Sequence, residues 1–273
     1  MNIDGKTKIT GIFGYPVEHT LSPAMHNAAF KALNLNYCYV PFLVHPDYLE
    51  DAVKAVKALN LPGVNITIPH KEKVIPLLDR ISEEASFMGA VNTIVNSAGK
   101  LTGYNTDGRG FMQSLAESGI SVKGKNILIT GAGGASRAIS YYLSQEAKAL
   151  YIIGRTKEKM DRLVNDLKAS GRNNIAVIED LYVIDGFHII INATPLGLKE
   201  EDPLPFDTSL LKEGQIVCDL IYKKTRLLKE ASKKGCLTVD GTGMLLWQGA
   251  LAFELWTGKR PDVEVMRKAL RKE

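Results

Sequence analysis

Residues 126–137 read Asn126-Ile-Leu-Ile-Thr-Gly-Ala-Gly-Gly-Ala-Ser-Arg137. An apolar run, a glycine-rich turn and the start of a helix follow one another directly. This predicts a strand, a tight loop and a helix to about Gln145, the opening of a βαβ unit. Gly131 permits the turn. Gly133 lets the backbone approach a pyrophosphate, whose charge is favoured at a helix N-terminus. The third glycine of the G-x-G-x-x-G pattern is replaced by Ser136, small enough for close helix packing. A glycine turn without a ligand is the alternative reading of this stretch alone. Further strands at 151–153, 176–179, 188–192, 216–221 and 237–239 alternate with helical segments, the pattern of an open, doubly wound parallel sheet.

The tip of the strand after the loop bears on the identity of the dinucleotide. An NAD site places Asp or Glu there to hold the ribose hydroxyls. This chain has Gly154-Arg-Thr-Lys-Glu-Lys159. Arg155 can grip a 2′-phosphate in a fork and Lys159 adds a point charge. NADP is favoured over NAD; a solvated basic helix start is the competing reading.

Upstream, strands at 8–13, 37–42 and 64–68, helices at 23–33, 45–59, 71–78 and 83–87, and a hairpin of 91–96 with 101–104 predict a second α/β domain. The boundary falls near Asp107. The expected division is 1–107, joined by about 240–273, and a Rossmann-type domain at 108–239. The apolar helix 244–256 has no strand partner in the second domain. It is expected to return to the first, leaving a cleft between the two.

The 273 residues allow one large domain or two ordinary ones, and 45% hydrophobic with 23% charged residues is normal for a globular protein. A net charge of +4, spread along the chain, gives no support to nucleic-acid binding. No apolar run reaches membrane-spanning length and residues 1–14 contain no long apolar stretch of the kind a signal sequence carries, so a cytoplasmic protein is expected. Cys38, Cys218 and Cys236 lack paired spacing, which fits a reducing compartment. The five histidines (19, 26, 45, 70 and 188) lack metal-ligand spacing, so no metal is expected. Sequence leaves a monomer and a homodimer equally open.

The first domain carries several polar motifs. In Asn65-Ile-Thr-Ile-Pro-His-Lys71, strand alternation puts Val64, Ile66 and Ile68 on one face and Asn65, Thr67 and Lys71 on the other. A small polar site and an ordinary surface strand both remain open here. In Gly14-Tyr-Pro-Val-Glu-His-Thr-Leu-Ser-Pro23, Thr20 and Ser22 precede a helix started by Pro23. Their hydroxyls suit a carboxylate, although Ser22 as a plain N-cap is an alternative. Gly89-Ala-Val-Asn-Thr93 sets the amide of Asn92 at a strand start, and Gly103-Tyr-Asn-Thr-Asp-Gly108 sets Asp107 at the domain boundary.

Taken together the chain resembles the shikimate dehydrogenase family, including its quinate/shikimate relatives. The resemblance spans essentially the whole length. It rests on eight motifs in order: His19-Thr-Leu-Ser-Pro23, 65–71, 89–93, 105–107, 131–135, Asn192-Ala-Thr-Pro-Leu-Gly197, 219–222 and 241–248. It implies reversible hydride transfer between NADPH and the C3 carbonyl of 3-dehydroshikimate. By matching position it implies Lys71 and Asp107 as the catalytic pair, and Thr20 and Ser22 on the substrate carboxylate. Thr67, Asn92, Tyr222 and Gln248 would meet the other substrate groups. The cofactor would be met by Gly131, Ala132, Gly133, Gly134, Ala135, Gly154, Arg155, Thr156 and Lys159, with Glu83, Leu220, Gly241, Gly243 and Met244 around the nicotinamide or its approach. The chemistry agrees, since an ammonium stabilises the oxygen of a ketone under reduction and can protonate it, and a neighbouring carboxylate keeps the ammonium charged.

Two positions depart from the family: Thr20 replaces a usual Ser, and Gly154 a usual Asn. The first bears on substrate fit, the second on exclusion of NAD. The competing readings are a quinate/shikimate enzyme with dual substrate or NAD use, a non-catalytic NADP- and shikimate-binding regulator, and a dehydrogenase acting on a folate carrier. Retention of Lys71 and Asp107 argues against the regulator, and the polar Thr20/Ser22 pair against a pterin slot.

Overall fold

The computed structural model describes residues 3–180, 184 and 186–271. The chain forms two units. The first takes the residues up to Thr106 together with those from Leu246 onward, and the second runs from Asp107 to Leu245. The first unit contains β1 (Lys8–Gly14), α1 (Ser22–Ala32), β2 (Tyr37–Leu43), α2 (Leu49–Ala58), β3 (Gly63–Ile66), β4 (Arg80–Ile81), α3 (Glu83–Met88), β5 (Thr93–Ser97) and β6 (Lys100–Tyr104). The second contains α4 (Asp107–Glu117), β7 (Asn126–Thr130), α5 (Gly134–Glu146), β8 (Ala149–Ile153), α6 (Lys157–Ala169), β9 (Ile175–Val177), β10 (Ile189–Asn192), β11 (Ile216–Asp219), α7 (Arg226–Lys233) and β12 (Leu237–Val239). Two C-terminal helices follow, α8 (Thr242–Thr257) and α9 (Val263–Leu270). The expected two-domain α/β architecture, with C-terminal helices returning to the first domain, is the one observed.

The first sheet has the order β2-β1-β3-β5-β6-β4. β1 pairs in parallel with β2 and β3, while β3–β5 and β5–β6 are antiparallel. On one face α2 lays Leu49, Val53 and Val56 against Phe13, Val64, Ile66, Ile94 and Leu101. Their spacing is that of one helical stripe. Phe42 packs on this cluster, so Tyr39, an odd number of residues away on β2, faces the opposite side. There it joins His26 and Phe30 of α1 and Phe253 and Trp256 of α8 in one aromatic stack. The indole Nε1 of Trp256 donates to the Ile94 carbonyl at 3.0 Å. A Cβ on Gly63 would strike that indole, so β3 needs glycine there to admit the helix.

The second sheet has the order β12-β11-β10-β7-β8-β9 and is parallel throughout. β10 is buried along its whole length, as expected of a central parallel strand covered on both faces. Chain direction around the sheet reverses between β7 and β10. Loops leaving the carboxyl ends of those two strands therefore part and open a crevice.

Three local expectations are corrected. The strand predicted at 64–68 ends at Ile66, and Ile68 is 71% exposed rather than sharing the buried face of Val64 and Ile66. Pro69 has no N–H for a ladder, and the chain turns before it. The helix predicted at 71–78 is a run of turns ending in a 3₁₀ turn, Ile75–Leu77, because Pro76 lacks a donor and restricts Ile75. The helix predicted from His45 opens with the 3₁₀ turn Pro46–Tyr48, and α2 begins at Leu49.

Candidate active site

The crevice of the second unit is a cavity of about 660 Å³. The turn after β7 contributes Thr130, Gly131, Ala132 and Gly133. The tip of β8 and start of α6 contribute Gly154, Arg155, Thr156 and Lys159. Thr194, Pro195 and Leu196 come from the turn after β10. Gly131 has φ +99°, and a Cβ there would lie 3.0 Å from the Ala193 carbonyl. Gly133 differs: a Cβ on it would meet nothing within 4 Å. Its bareness serves no packing need and leaves the backbone open to a ligand. No side chain caps α5, whose N-cap is Gly133, so the polarity that favours a phosphate is retained. These residues fit a dinucleotide with a 2′-phosphate. Ser136 is fully buried, as close helix packing requires.

Gly134 and Ala135 open α5 directly beyond the loop. Glu83, Leu220, Gly241, Gly243 and Met244 lie outside this cavity. Glu83 starts α3 in the first unit. Packing alone explains two of the glycines, since a Cβ on Gly241 would strike the Leu220 carbonyl and one on Gly243 the Ser114 hydroxyl. Glu179, Phe206 and Asp207 line the cavity without having been singled out in the sequence. Thr194 carried a signal, its place in the turn after the switch-point strand. Its hydroxyl donates to Asn192 Oδ1 at 2.7 Å and accepts from the Leu196 N–H at 3.1 Å, which folds that turn.

Burial raises the Asp219 carboxyl, at the end of β11, above its ordinary range. It nevertheless accepts from Thr225 Oγ1 at 2.7 Å, Asn192 Nδ2 at 3.1 Å and the Ile221 N–H at 3.2 Å. It thereby shapes the turn leading to Tyr222, which is 53% exposed. Burial pushes the neighbouring Cys218 thiol up to about 12, which leaves it inert as a nucleophile.

In the first unit a polar array gathers where β1, β3 and β5 end or begin. The Val91 N–H donates to the Lys71 carbonyl at 2.8 Å, and the Ile66 N–H to the Asn92 carbonyl at 2.8 Å. Lys71 is thus tied to the segment entering β5, and Asn92 to the end of β3. Thr67 packs its methyl against Gly14, where no side chain would fit. Ser22 is the first residue of α1 and makes no cap; Leu21 occupies the N-cap position. The capping alternative is therefore removed, and the Ser22 N–H reaches Thr20 Oγ1 at 3.4 Å. Thr106 Oγ1 reaches the Gln248 carbonyl at 3.1 Å, which fixes that turn of α8 beside Asn92. Lys71, Asn92 and Gln248 are linked in this way through Val91 and Thr106, and Asn65 joins the array by donating to the Asn92 carbonyl at 3.1 Å. Asp107, the residue after Thr106, opens α4 of the second unit.

Three family profiles match the chain in order. The shikimate dehydrogenase substrate binding domain covers residues 12–94, shikimate/quinate 5-dehydrogenase covers 114–197, and the shikimate 5′-dehydrogenase C-terminal domain covers 241–271. The shikimate dehydrogenase (NADP(+)) of Carboxydothermus hydrogenoformans is 47% identical over 276 residues, spanning 99% of each protein. The chain belongs to the shikimate dehydrogenase family. The crystal structure of shikimate dehydrogenase from Aquifex aeolicus superposes with a TM-score of 0.93 at 42% identity, over 99% of this chain and 100% of that one. Shikimate 5-dehydrogenase from Thermus thermophilus, solved with NADP(H) and shikimate, gives 0.88 at 37% identity, over 97% and 99%. The substrate-domain profile of shikimate dehydrogenases falls on the unit that carries the polar array.

Proposed function

We propose that this chain is an NADP-dependent shikimate dehydrogenase, catalysing the reversible reduction of 3-dehydroshikimate to shikimate on the route to chorismate and the aromatic amino acids. The observation that carries the reading is the relationship to NADP(+)-dependent shikimate dehydrogenases over the full length of the chain. NADPH supplies the hydride to the carbonyl carbon. Arg155, Thr156 and Lys159 are proposed to hold its 2′-phosphate, with the 131–135 turn on the pyrophosphate. The Lys71 ammonium stabilises the negative charge that builds on the carbonyl oxygen and then donates its proton there. The Asp107 carboxylate keeps Lys71 charged and oriented. Thr20 and Ser22 hold the substrate carboxylate, while Thr67, Asn92, Tyr222 and Gln248 bind its hydroxyls.

No helix among the described residues is long and apolar enough to cross a membrane, and no group of His, Cys, Asp and Glu there could hold a metal ion. We place the enzyme in the cytoplasm as a monomer or homodimer. Steady-state kinetics with shikimate and quinate, each with NADP and NAD, test the reading. Shikimate with NADP should give the highest kcat/KM, whereas a quinate or NAD maximum would move the chain to the quinate branch. Lys71→Ala should lower kcat by roughly 10²–10⁴-fold, the usual worth of proton transfer, with NADP affinity nearly unchanged. Near-normal turnover would remove Lys71 from the mechanism.

A further inference from the structure

Resting on that reading, we infer that Tyr39, Asn65 and Thr93 form a buried one-way hydrogen-bond relay that fixes which way round the Asn92 side-chain amide stands in the substrate site. Tyr39, Asn65, Asn92 and Thr93 are each at most 5% exposed. Tyr39 OH lies 2.8 Å from Asn65 Oδ1. Asn65 Nδ2 lies 3.1 Å from both the Asn92 carbonyl and Thr93 Oγ1. Thr93 Oγ1 lies 2.9 Å from Asn92 Oδ1, and the Thr106 N–H reaches the same oxygen at 3.0 Å.

Two backbone groups fix the direction of every link. The Asn92 carbonyl can only accept, so the Asn65 group facing it is the NH₂ and its oxygen faces Tyr39. The Thr106 N–H can only donate, so the Asn92 group facing it is the carbonyl oxygen. Thr93 must then accept from Asn65 and give its single proton to Asn92, and Tyr39 must give its proton to Asn65. Reversing the Asn65 amide would set acceptor against acceptor, and reversing the Asn92 amide would set donor against donor, each in a buried place and at the full cost of an unpaired polar group. The Asn92 carbonyl oxygen is thereby turned toward Thr93 and the Thr106 N–H, and its NH₂ stands on the other side, donating to Thr106 Oγ1 at 3.0 Å.

The head of the relay is itself held. Asn27 of α1 accepts from the Tyr39 N–H at 2.8 Å and donates to its carbonyl at 2.9 Å. Asn65 and Thr93 stand directly opposite in the β3–β5 ladder, so register alone aligns the middle links. Asn65 therefore braces the site and does not touch substrate. Tyr39, Asn65 and Thr93 are positioning residues acting through Asn92.

Thr93→Val keeps the shape and removes the hydroxyl, and Thr93→Ser keeps the hydroxyl and loses a methyl. Thr93→Val should raise KM for 3-dehydroshikimate by about tenfold or more, since small misplacements of binding groups are costly. KM for NADPH should stay within about twofold, and Thr93→Ser should stay within about threefold of the parent on both. Side-chain amide exchange of Asn92 by NMR, which needs no substrate, should quicken in Thr93→Val and not in Thr93→Ser. Should Thr93→Val fail to fold, Tyr39→Phe interrupts the relay at its head and should quicken the same exchange. Valine and serine variants that behave alike, or unchanged Asn92 exchange in the interrupted variants, would overturn the relay. A parent enzyme inactive on 3-dehydroshikimate, but with relay-dependent Asn92 exchange, would instead sink the substrate assignment.

Discussion

His26 shows how a residue type that usually marks chemistry can be wholly structural. Its ring stacks on Tyr39 at 4.4 Å and 9°, with Phe253 and Trp256 alongside, and neither ring nitrogen has a hydrogen-bond partner. Burial lowers its pKa to about 3, so the ring is neutral in the folded protein. An unfolded chain would protonate it near pH 6.5. Between those values the unfolded state holds a proton that the native state lacks, so stability falls as pH falls through that window. The slope from this one group reaches about 1.4 kcal/mol per pH unit, and the contribution is constant above about pH 6.5. Asp219 works in the opposite sense, because its raised carboxyl favours the folded state toward acid pH. A comparison of two proteins that both retain Asp219 cancels its effect. His26→Leu should therefore show a flatter profile than the parent in urea unfolding between pH 7 and pH 4.5. Parallel profiles would mean that the ring is not held neutral.

At the scale of the element, the β7–α5 turn contains two glycines with different reasons for being glycine. Gly131 needs its φ of +99° and has the Ala193 carbonyl beside it, whereas Gly133 has open space around it. Gly131→Ala should cost about 1–3 kcal/mol of stability, the usual cost of such backbone conformations in other residues. Gly133→Ala should leave the thermal midpoint within a degree or two and weaken NADP binding about tenfold or more, because its methyl would occupy the ligand's approach. Thermal melts paired with NADP titrations check both, and a Gly133→Ala protein that binds NADP normally would refute the close-approach reading. This turn was legible in sequence because strand, turn and helix are contiguous and each obeys a local rule. So was the basic 155–159 cluster. Ile68 was misplaced because alternation extends a strand without knowing where its neighbour stops pairing. The 71–78 helix failed because an apolar period outweighed Pro76. The cavity walls at Glu179, Phe206 and Asp207 and the links at Tyr39 and Thr93 were not legible for a common reason. Each depends on which distant segments the sheet register brings together, and no local pattern records that.

The whole molecule divides its work between a discontinuous unit and a continuous one. The first unit needs both ends of the chain, since Phe253 and Trp256 complete the aromatic stack begun by His26, Phe30 and Tyr39. The second unit is a single stretch from Asp107 to Leu245, with its six strands in one sheet and every cavity-lining residue between Thr130 and Asp207. Its core around Leu128, Ile190, Val217, Leu227 and Leu228 comes from that stretch alone. Such a segment has what an autonomous domain requires. A chain of residues 107–245 should fold cooperatively and bind NADP with a Kd within about tenfold of the intact protein, and it should not reduce 3-dehydroshikimate. Both tryptophans, Trp247 and Trp256, lie outside it. NADPH titration can then be followed by nicotinamide fluorescence without energy transfer from indole, with circular dichroism to score folding. Arg155→Ala in the same fragment should weaken NADP, but not NAD, by about 10–100-fold, the worth of a charge-assisted contact to phosphate. An unfolded fragment would show that the sheet depends on the first unit. A folded fragment indifferent to the 2′-phosphate would move the source of NADP preference away from the β8–α6 turn.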